Sequence, residues 1–542
     1  MKAAINSDKL RGGYYTPRSL ADKISSWIIR EKSDFVLEPS CGDGSFIRPI
    51  TEKLSSLGCS KDETCKQVLG VELAPKEAKK AASFGATIEN QDFFIVAERI
   101  REQGVTFDAV VGNPPFIRYQ SFDEVVRQRA FGQLAALGLN PNRMTNSWVP
   151  FLIVSSSLLN DDGRIGMVIP AELLQVNYAE EAREYLTSHF SSLMIVTFKD
   201  LVFNNIQQEI VIILAEKRSK HPGIRVVELS GVQDFIDFDI ELNFANYKMA
   251  HKKGCGKWLE YYLTNDEQIL LDKLSADSRV WGVNRLFDVN VGLVSGENDF
   301  FVVNESTIAE YDIGDSVIEI ISRANQVSGL QLTQDKFDNL AQSGKKVFLF
   351  YPGAEDSLSK GSRRYIQYGE SRDYHKNYKC RIRNPWYTVP MSWKPDAFLL
   401  RQVGSYPRIV LNENGAHVTD TLHKVRFHDG INRHSVACAF INSYTFALSE
   451  VLGRSYGGGV LTFEPSEARA FRIPMQGVEG IDFEYVDMLI SEKRITEALD
   501  YNDEILLQRG LGLSREETAN LRCIWEKMRD RRLCRKASVI KN

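Results

Sequence analysis

Seven short apolar runs, separated by helical patterns or turns, fill the chain up to Ala215. They are Asp34–Pro39, Gln67–Leu73, Ala86–Phe94, Phe107–Val111, Arg164–Pro170, Leu193–Phe198 and Glu209–Ala215. Helical patterns lie between them, among others at Ser19–Lys32, Pro75–Ser83 and Ser147–Leu159. Strands that alternate with helices close into a doubly wound, mostly parallel α/β sheet. The last two runs stand too close for a full helix to separate them, so they are expected to pair antiparallel at one edge.

In such a sheet ligands sit at the carboxyl ends of strands, and the residues there are unusual. Phe107–Gly112 runs into Asn113-Pro114-Pro115-Phe116. Two consecutive prolines stiffen the backbone, since neither can donate to a ladder and each restricts the residue before it. The loop offers an amide oxygen (Asn113), a main-chain carbonyl (Pro114) and a flat aromatic face (Phe116). That set suits a planar group carrying an NH2, such as adenine. Taken alone, the tetrapeptide also suits a stiff loop with a packed Phe.

A second turn reads Leu37-Glu38-Pro39-Ser40-Cys41-Gly42-Asp43-Gly44-Ser45-Phe46. Glycines between a strand and a helix let a ligand lie against the backbone. The full G-x-G-x-x-G pattern is missing, and Glu38 and Asp43 would repel phosphate, so a cationic ligand fits better than a pyrophosphate. Glu72 closes the second run, and a carboxylate there can accept both hydroxyls of a ribose. Asn90-Gln91-Asp92-Phe93-Phe94 follows the third run. Asp92 can accept from an adenine amine, and Phe93 can cover the ring. Singly these are ordinary loop acids. At successive strand ends they outline a pocket for a cationic adenosine.

The order Tyr14-Tyr15-Thr16-Pro17, LEPSCGDGSF, Glu72, NQDFF, NPPF resembles the γ-class N6-adenine DNA methyltransferases and is similar to the TaqI enzyme's family. The likeness is close from Gly13 to about Ala215. It reaches more loosely through Val291-Gly292-Leu293-Val294-Ser295-Gly296-Glu297-Asn298 and Arg454-Ser455-Tyr456-Gly457-Gly458-Gly459. It implies a seven-stranded, Rossmann-like methyltransferase sheet with a C-terminal mixed α+β target-recognition domain. It also implies S-adenosylmethionine as cofactor, without a metal. Thr16 and Glu38 would meet its methionine end, Glu72 its ribose, and Asp92 with Phe93 its adenine, while Tyr15, Ser40, Cys41, Gly42, Asp43, Gly44, Asn113 and Pro115 would complete the cofactor site. Asn113 and the Pro114 carbonyl would hold the target amine, and Phe116 would stack on the base. The likeness offers Phe203, in Leu201-Val202-Phe203-Asn204-Asn205, as a second aromatic, although a core Phe reads the same way.

Composition narrows the partners. Net charge is −4, so DNA requires a local basic patch. Between Lys360 and Arg433 there are 14 Lys or Arg against 6 acids, interleaved with Tyr365, Tyr368, Tyr374, Tyr378, Trp386, Tyr387 and Trp393. This stretch is expected to face DNA, with Arg381, Arg383 and Arg401 as candidate readers. The eight cysteines contain no C-x-x-C pair, which excludes a zinc knuckle and fits a reducing compartment. No apolar run reaches the roughly 18 residues of a membrane-crossing helix, so a soluble cytoplasmic protein is expected. The expected division is 1–245 catalytic, 265–475 target recognition and 476–542 helical.

Double-stranded DNA is therefore the expected substrate, with a cognate restriction endonuclease as a candidate partner. Competing readings are an N-methyltransferase of RNA or protein glutamine, a non-catalytic DNA-specificity subunit, and a fused restriction–modification enzyme. The YTP element with a large second half argues against the first, the intact acidic pocket against the second, and the lack of a nuclease constellation against the third.

Overall fold

The computed structural model describes residues 16–141, 145–200, 202, 209–246, 257–353, 355–391, 393–456 and 458–540. The chain divides into two compact units, one reaching Tyr262 and the other comprising Leu263–Ser455 and Gly459–Leu533. Helices Phe483–Ser491 and Ile495–Asp503 fall in the second unit.

In the first unit, strands β1 (Val36–Glu38), β2 (Val68–Val71), β3 (Thr87–Glu89), β4 (Phe107–Gly112), β5 (Leu159–Pro170), β6 (Ser192–Phe198), β7 (Ile210–Glu216) and β8 (Gly223–Leu229) form one sheet. Their spatial order is β3-β2-β1-β4-β5-β7-β6-β8. All neighbours are parallel except β7, which runs antiparallel to β5 and β6. The β6–β7 pair is as expected, but it is not the edge. An eighth strand, unforeseen in the sequence, pairs parallel with β6. Every residue of β6 and β7 is buried. Gly223–Leu229 carries Arg225 and Glu228 and is only partly buried, because an edge strand does not need an unbroken apolar run.

Helices α1 (Arg18–Ile28), α2 (Ile47–Ser56), α3 (Phe93–Glu102), α4 (Glu124–Ala136), α5 (Trp148–Ser157) and α6 (Glu180–His189) supply most of the covering. Side chains alternate across the pleat. Leu37, Val110, Ile165, Ile195 and Ile213 pack with Val96 of α3, Leu152 of α5 and Leu186 of α6. Val36, Val111, Val168, Val196 and Leu214 pack on the other face with Ile24 and Ile28 of α1, Ile50 and Leu54 of α2, and Phe235. Full burial of each such side chain is worth about 1.5–3 kcal/mol. Gly166 lets α1 approach β5: a Cβ there would lie 2.5 Å from Ile24 Cγ2.

The second unit holds a five-stranded sheet ordered Phe287–Val291, Leu422–Phe427, Ala397–Leu400, Ile409–Asn412, Gln331–Leu332, with smaller sheets and helices. Much of its aromatic stretch is interior. Phe300 stacks on Tyr365 at 4.8 Å and meets Trp386 at 5.0 Å, and Tyr387 is buried. Those rings build the core instead of facing DNA. Arg401 makes a two-pronged pair with Glu464, both contacts at 2.9 Å, and Arg383 donates to the Val294 and Ser295 carbonyls. These two arginines are fixed by internal partners, while Arg381 is exposed.

Candidate active site

The chain runs from β1 outward through β2 and β3, then returns to β4 on the other side of β1. Crossovers part there, which opens a crevice at the carboxyl ends of β1 and β4. Glu38 ends β1 and Asn113 follows β4. Gly112 leaves room between them: a Cβ on it would lie 3.4 Å from Glu38 Oε1.

The turn after β1 is tight. Gly42 and Gly44 have φ of 53° and 92°. Positive φ of this size favours glycine. A Cβ on Gly44 would meet Phe84 Cδ2 at 2.7 Å. The Cys41 N–H donates to the Val71 carbonyl at 2.9 Å, tying the turn to β2. The Cys41 side chain is buried and its Sγ packs toward Gly70, so this residue contributes backbone, and burial pushes its thiol upward. Asp43 accepts from Ser45 Oγ at 2.7 Å. Glu38 Oε2 and Ser40 Oγ are buried and have no hydrogen-bond partner among the described residues. Burial first, then the Glu72 and Asp43 charges, push the Glu38 carboxyl well above the usual carboxylate range.

Glu72 staples two loops. Its Oε2 accepts from the Gly42 N–H at 2.9 Å, and its Oε1 from the Ala74 N–H at 2.7 Å. Leu73 beside it is 64% exposed, a large apolar side chain at the rim. Asp92 caps α3 by accepting from the Phe94 N–H at 3.0 Å, and its other oxygen accepts from Arg129 Nη1 of α4, also at 3.0 Å. The Phe93 ring stacks on Phe151 in the core at 5.3 Å, so it does not cover a ligand. Its main-chain N–H, first in the helix, has no intrahelical acceptor.

The Asn113 amide donates to Thr16 Oγ1 at 3.2 Å, which joins the N-terminal element to the tetrapeptide. Pro114 is buried, and Phe116 is half-buried between the two cores. Ser147 fixes the loop from below: its hydroxyl donates to the Pro115 carbonyl and accepts from the Ile117 N–H at 2.8 Å. Asn146 accepts from the Tyr119 N–H at 3.1 Å and donates to Tyr178 and Glu172. The structure thus brings together Thr16, Glu38, Ser40, Gly42, Asp43, Gly44, Glu72, Asp92, Asn113, Pro114, Pro115 and Phe116 at the carboxyl ends of β1 to β4. Tyr15 and Phe203 lie outside the described residues. Sequence reasoning missed Arg129, Ser147 and Asn146. Ser147 carried a signal as a hydroxyl residue at the start of a helical pattern, but its partner loop lies 30 residues away.

Residues 1–243 match the family described as N-6 DNA Methylase, and residues 255–507 match the C-terminal domain of type II methyltransferase M.Eco57I. The chain is 23% identical over 472 residues to the type II methyltransferase M.AccI of Acinetobacter calcoaceticus, covering 84% of this chain and 83% of that protein. It is 22% identical over 487 residues to M.XamI of Xanthomonas campestris pv. amaranthicola, covering 85% of each. In fold it is similar to the DrdV–DNA complex, with a TM-score of 0.51 at 13% identity, over 91% of this chain and 58% of that one. Fold and matches together define a DNA methyltransferase. Its first 243 residues are similar to the N6-adenine DNA methylases, and the relatives it matches along most of its length are type II methyltransferases of restriction–modification systems.

Proposed function

We propose that this chain moves the methyl group of S-adenosylmethionine to N6 of one adenine in a specific duplex DNA site, with that base rotated out of the stack. We further propose that it has the γ-class motif order, acts in the cytoplasm, and serves as the modification partner of a restriction endonuclease. The observation that carries the reading is Glu38. It is a buried carboxylate with an oxygen that has no partner among the described residues, flanked by Glu72 and Asp43. Such a group is costly unless a ligand with positive charge completes it.

The cofactor, when bound, supplies an electrophilic methyl on a positively charged sulfur. Glu38 and the Ser40 hydroxyl would take the cationic end. Glu72 retains lone pairs for ribose hydroxyls while it holds Gly42 and Ala74. The Asp92 carboxylate beside the Phe93 N–H offers an acceptor and a donor, the complement of adenine N6 and N1.

Asn113 Oδ1, on the opposite edge of the amide from the Thr16 contact, and the Pro114 carbonyl would accept from the target amine. Those bonds pull N6 out of conjugation and aim its lone pair at the methyl group. Asn113 and Pro114 would thus hold N6 in line to take the methyl group that the bound cofactor supplies, and the surplus N6 proton would pass to solvent. A rigid loop makes these contacts effective, since they need no reorganisation during transfer. Extruding the base costs a few kcal/mol, which stacking on Phe116 offsets in part.

The test is transfer of labelled methyl from S-adenosylmethionine to DNA, RNA and protein in parallel, followed by nucleoside digestion of the DNA. N6-methyladenine is the expected product. Label confined to RNA or protein, or a methylated cytosine, would overturn the reading.

A further inference from the structure

The sequence singled out Val294-Ser295-Gly296-Glu297-Asn298, and the proposed chemistry leaves it unused. In the second unit this loop buttresses the short helix Tyr378–Arg381. Gly296 has φ of 95°, and a Cβ on it would lie 2.9 Å from Lys379 Cβ and 3.2 Å from Cys380 Sγ. Glu297 Oε2 accepts from Asn377 Nδ2 at 2.6 Å, and Arg383 grips the Val294 carbonyl at 2.8 Å. Cys380 is buried in the aromatic core beneath. The helix is therefore held from three directions.

What it presents outward is unlike an ordinary surface. Tyr378 is 63% exposed and Ile382 is 60% exposed. Ile382 ends the helix four positions after Tyr378, about the spacing of one helical turn. Lys379 Nζ and Arg381 Cζ lie 5.7 Å and 5.9 Å from the centre of the Tyr378 ring, and neither side chain makes a salt bridge among the described residues. A braced pair of apolar side chains inside a cationic collar has no way to bury itself in the free protein. Its complement has flat apolar faces between two lines of negative charge, which is the form of a base step in duplex DNA.

We propose that Tyr378 and Ile382 form a wedge that enters a base step of the bound duplex, with Lys379 and Arg381 on the flanking phosphates. The inference rests on the DNA-methyltransferase reading for its partner, and goes beyond it by assigning a deformation of the DNA to a named element outside the catalytic unit.

The experiment uses the full chain and a relaxed, closed-circular plasmid of mixed sequence. Unwinding per bound protein is read from the linking number after topoisomerase treatment, and methyl transfer to the same plasmid is measured separately. Tyr378→Ala with Ile382→Ala is expected to reduce unwinding at least twofold and to raise the plasmid KM tenfold or more, with kcat within twofold and the thermal midpoint unchanged. Tyr378→Phe alone should match the wild type on both counts, because the ring and not the hydroxyl does the inserting. Lys379→Gln with Arg381→Gln should lower the salt slope of binding by about 2, at roughly 0.9 per phosphate contact, while unwinding per bound protein stays constant. Wild-type unwinding and KM in the alanine pair would overturn the wedge and leave the reaction standing. So would loss of a dimer in the alanine pair with DNA behaviour unaltered, which would make the patch a contact between copies. Unwinding that depends on Tyr378 in a protein unable to methylate DNA would support the wedge and defeat the proposed reaction.

Discussion

The Asn113 amide donates to Thr16 Oγ1 at 3.2 Å, so two residues 97 positions apart act as one hydrogen-bonded unit at the end of β4. The contact selects which edge of the amide faces Thr16. Thr16→Val removes the acceptor and keeps the shape. Its kcat is expected to fall about tenfold with KM for DNA little changed, and Thr16→Ser should restore it. Asn113→Ala should lower kcat by about 10²-fold or more while cofactor affinity holds, as for loss of a preorganised electrostatic contact. Single-turnover methylation measures both, and an undiminished rate in Asn113→Ala would remove the tetrapeptide from the chemistry.

Glu38 links cofactor binding to pH. Its folded-state carboxyl is held well above the ordinary value by burial and by Glu72 and Asp43. A carboxyl raised on folding stabilises the protein fully below its unfolded pKa, about 4.3, and that contribution is lost as pH rises through the folded value. Glu38→Gln should therefore raise the thermal midpoint of the cofactor-free protein near neutral pH, and the difference should shrink as the pH falls toward the unfolded pKa. The same variant should bind S-adenosylmethionine poorly. A cationic ligand favours the charged carboxylate, so binding to the wild type should release a proton, seen as a calorimetric enthalpy that varies with the buffer. A buffer-independent enthalpy would contradict this.

Glu72 holds two main-chain amides as well as its proposed ribose contacts. Glu72→Ala should weaken cofactor binding by about 1–3 kcal/mol, by loss of hydrogen bonds to a charged acceptor. Increased amide exchange at Gly42 and Ala74 in the cofactor-free variant should accompany it. Full protection at those amides would show that the staple is not needed.

Phe116 should act on the extruded base and not on the methyl group. With 2-aminopurine at the target position, wild type and Asn113→Ala should both raise fluorescence, since extrusion and transfer are separate steps. Phe116→Ala should raise it less, while Phe116→Tyr and Phe116→Trp should behave as wild type because a π face remains. Equal fluorescence in Phe116→Ala would assign the ring to packing.

The sequence made the catalytic edge readable because the residues there are unusual by type: paired prolines, paired glycines, and acids that close apolar runs. The sheet was readable where strands are buried on both faces. β8 escaped because an edge strand carrying Arg225 and Glu228 lacks that pattern. Phe93 was misjudged because a ring next to a binding acid looks the same whether it covers a ligand or, as here, stacks on Phe151. The Arg129–Asp92 pair joins helices through residues 37 positions apart and leaves no local trace. The aromatics around Tyr365 were misread because residue type cannot separate rings that build a core from rings that meet a partner. Only the fold shows that Tyr365 points inward and Tyr378 outward.

The reversed strand β7 divides the sheet into two unequal parts that answer differently to change over evolutionary time. On the cofactor side, β1 to β4 are joined by crossovers whose helices are locked into the cores, so an inserted residue would shift a whole layer. On the far side, β6 and β7 are antiparallel neighbours, a pairing that needs no crossover helix. A lineage with this plan can therefore vary beyond β7 while the strands that carry Glu38, Glu72 and Asn113 stay as they are.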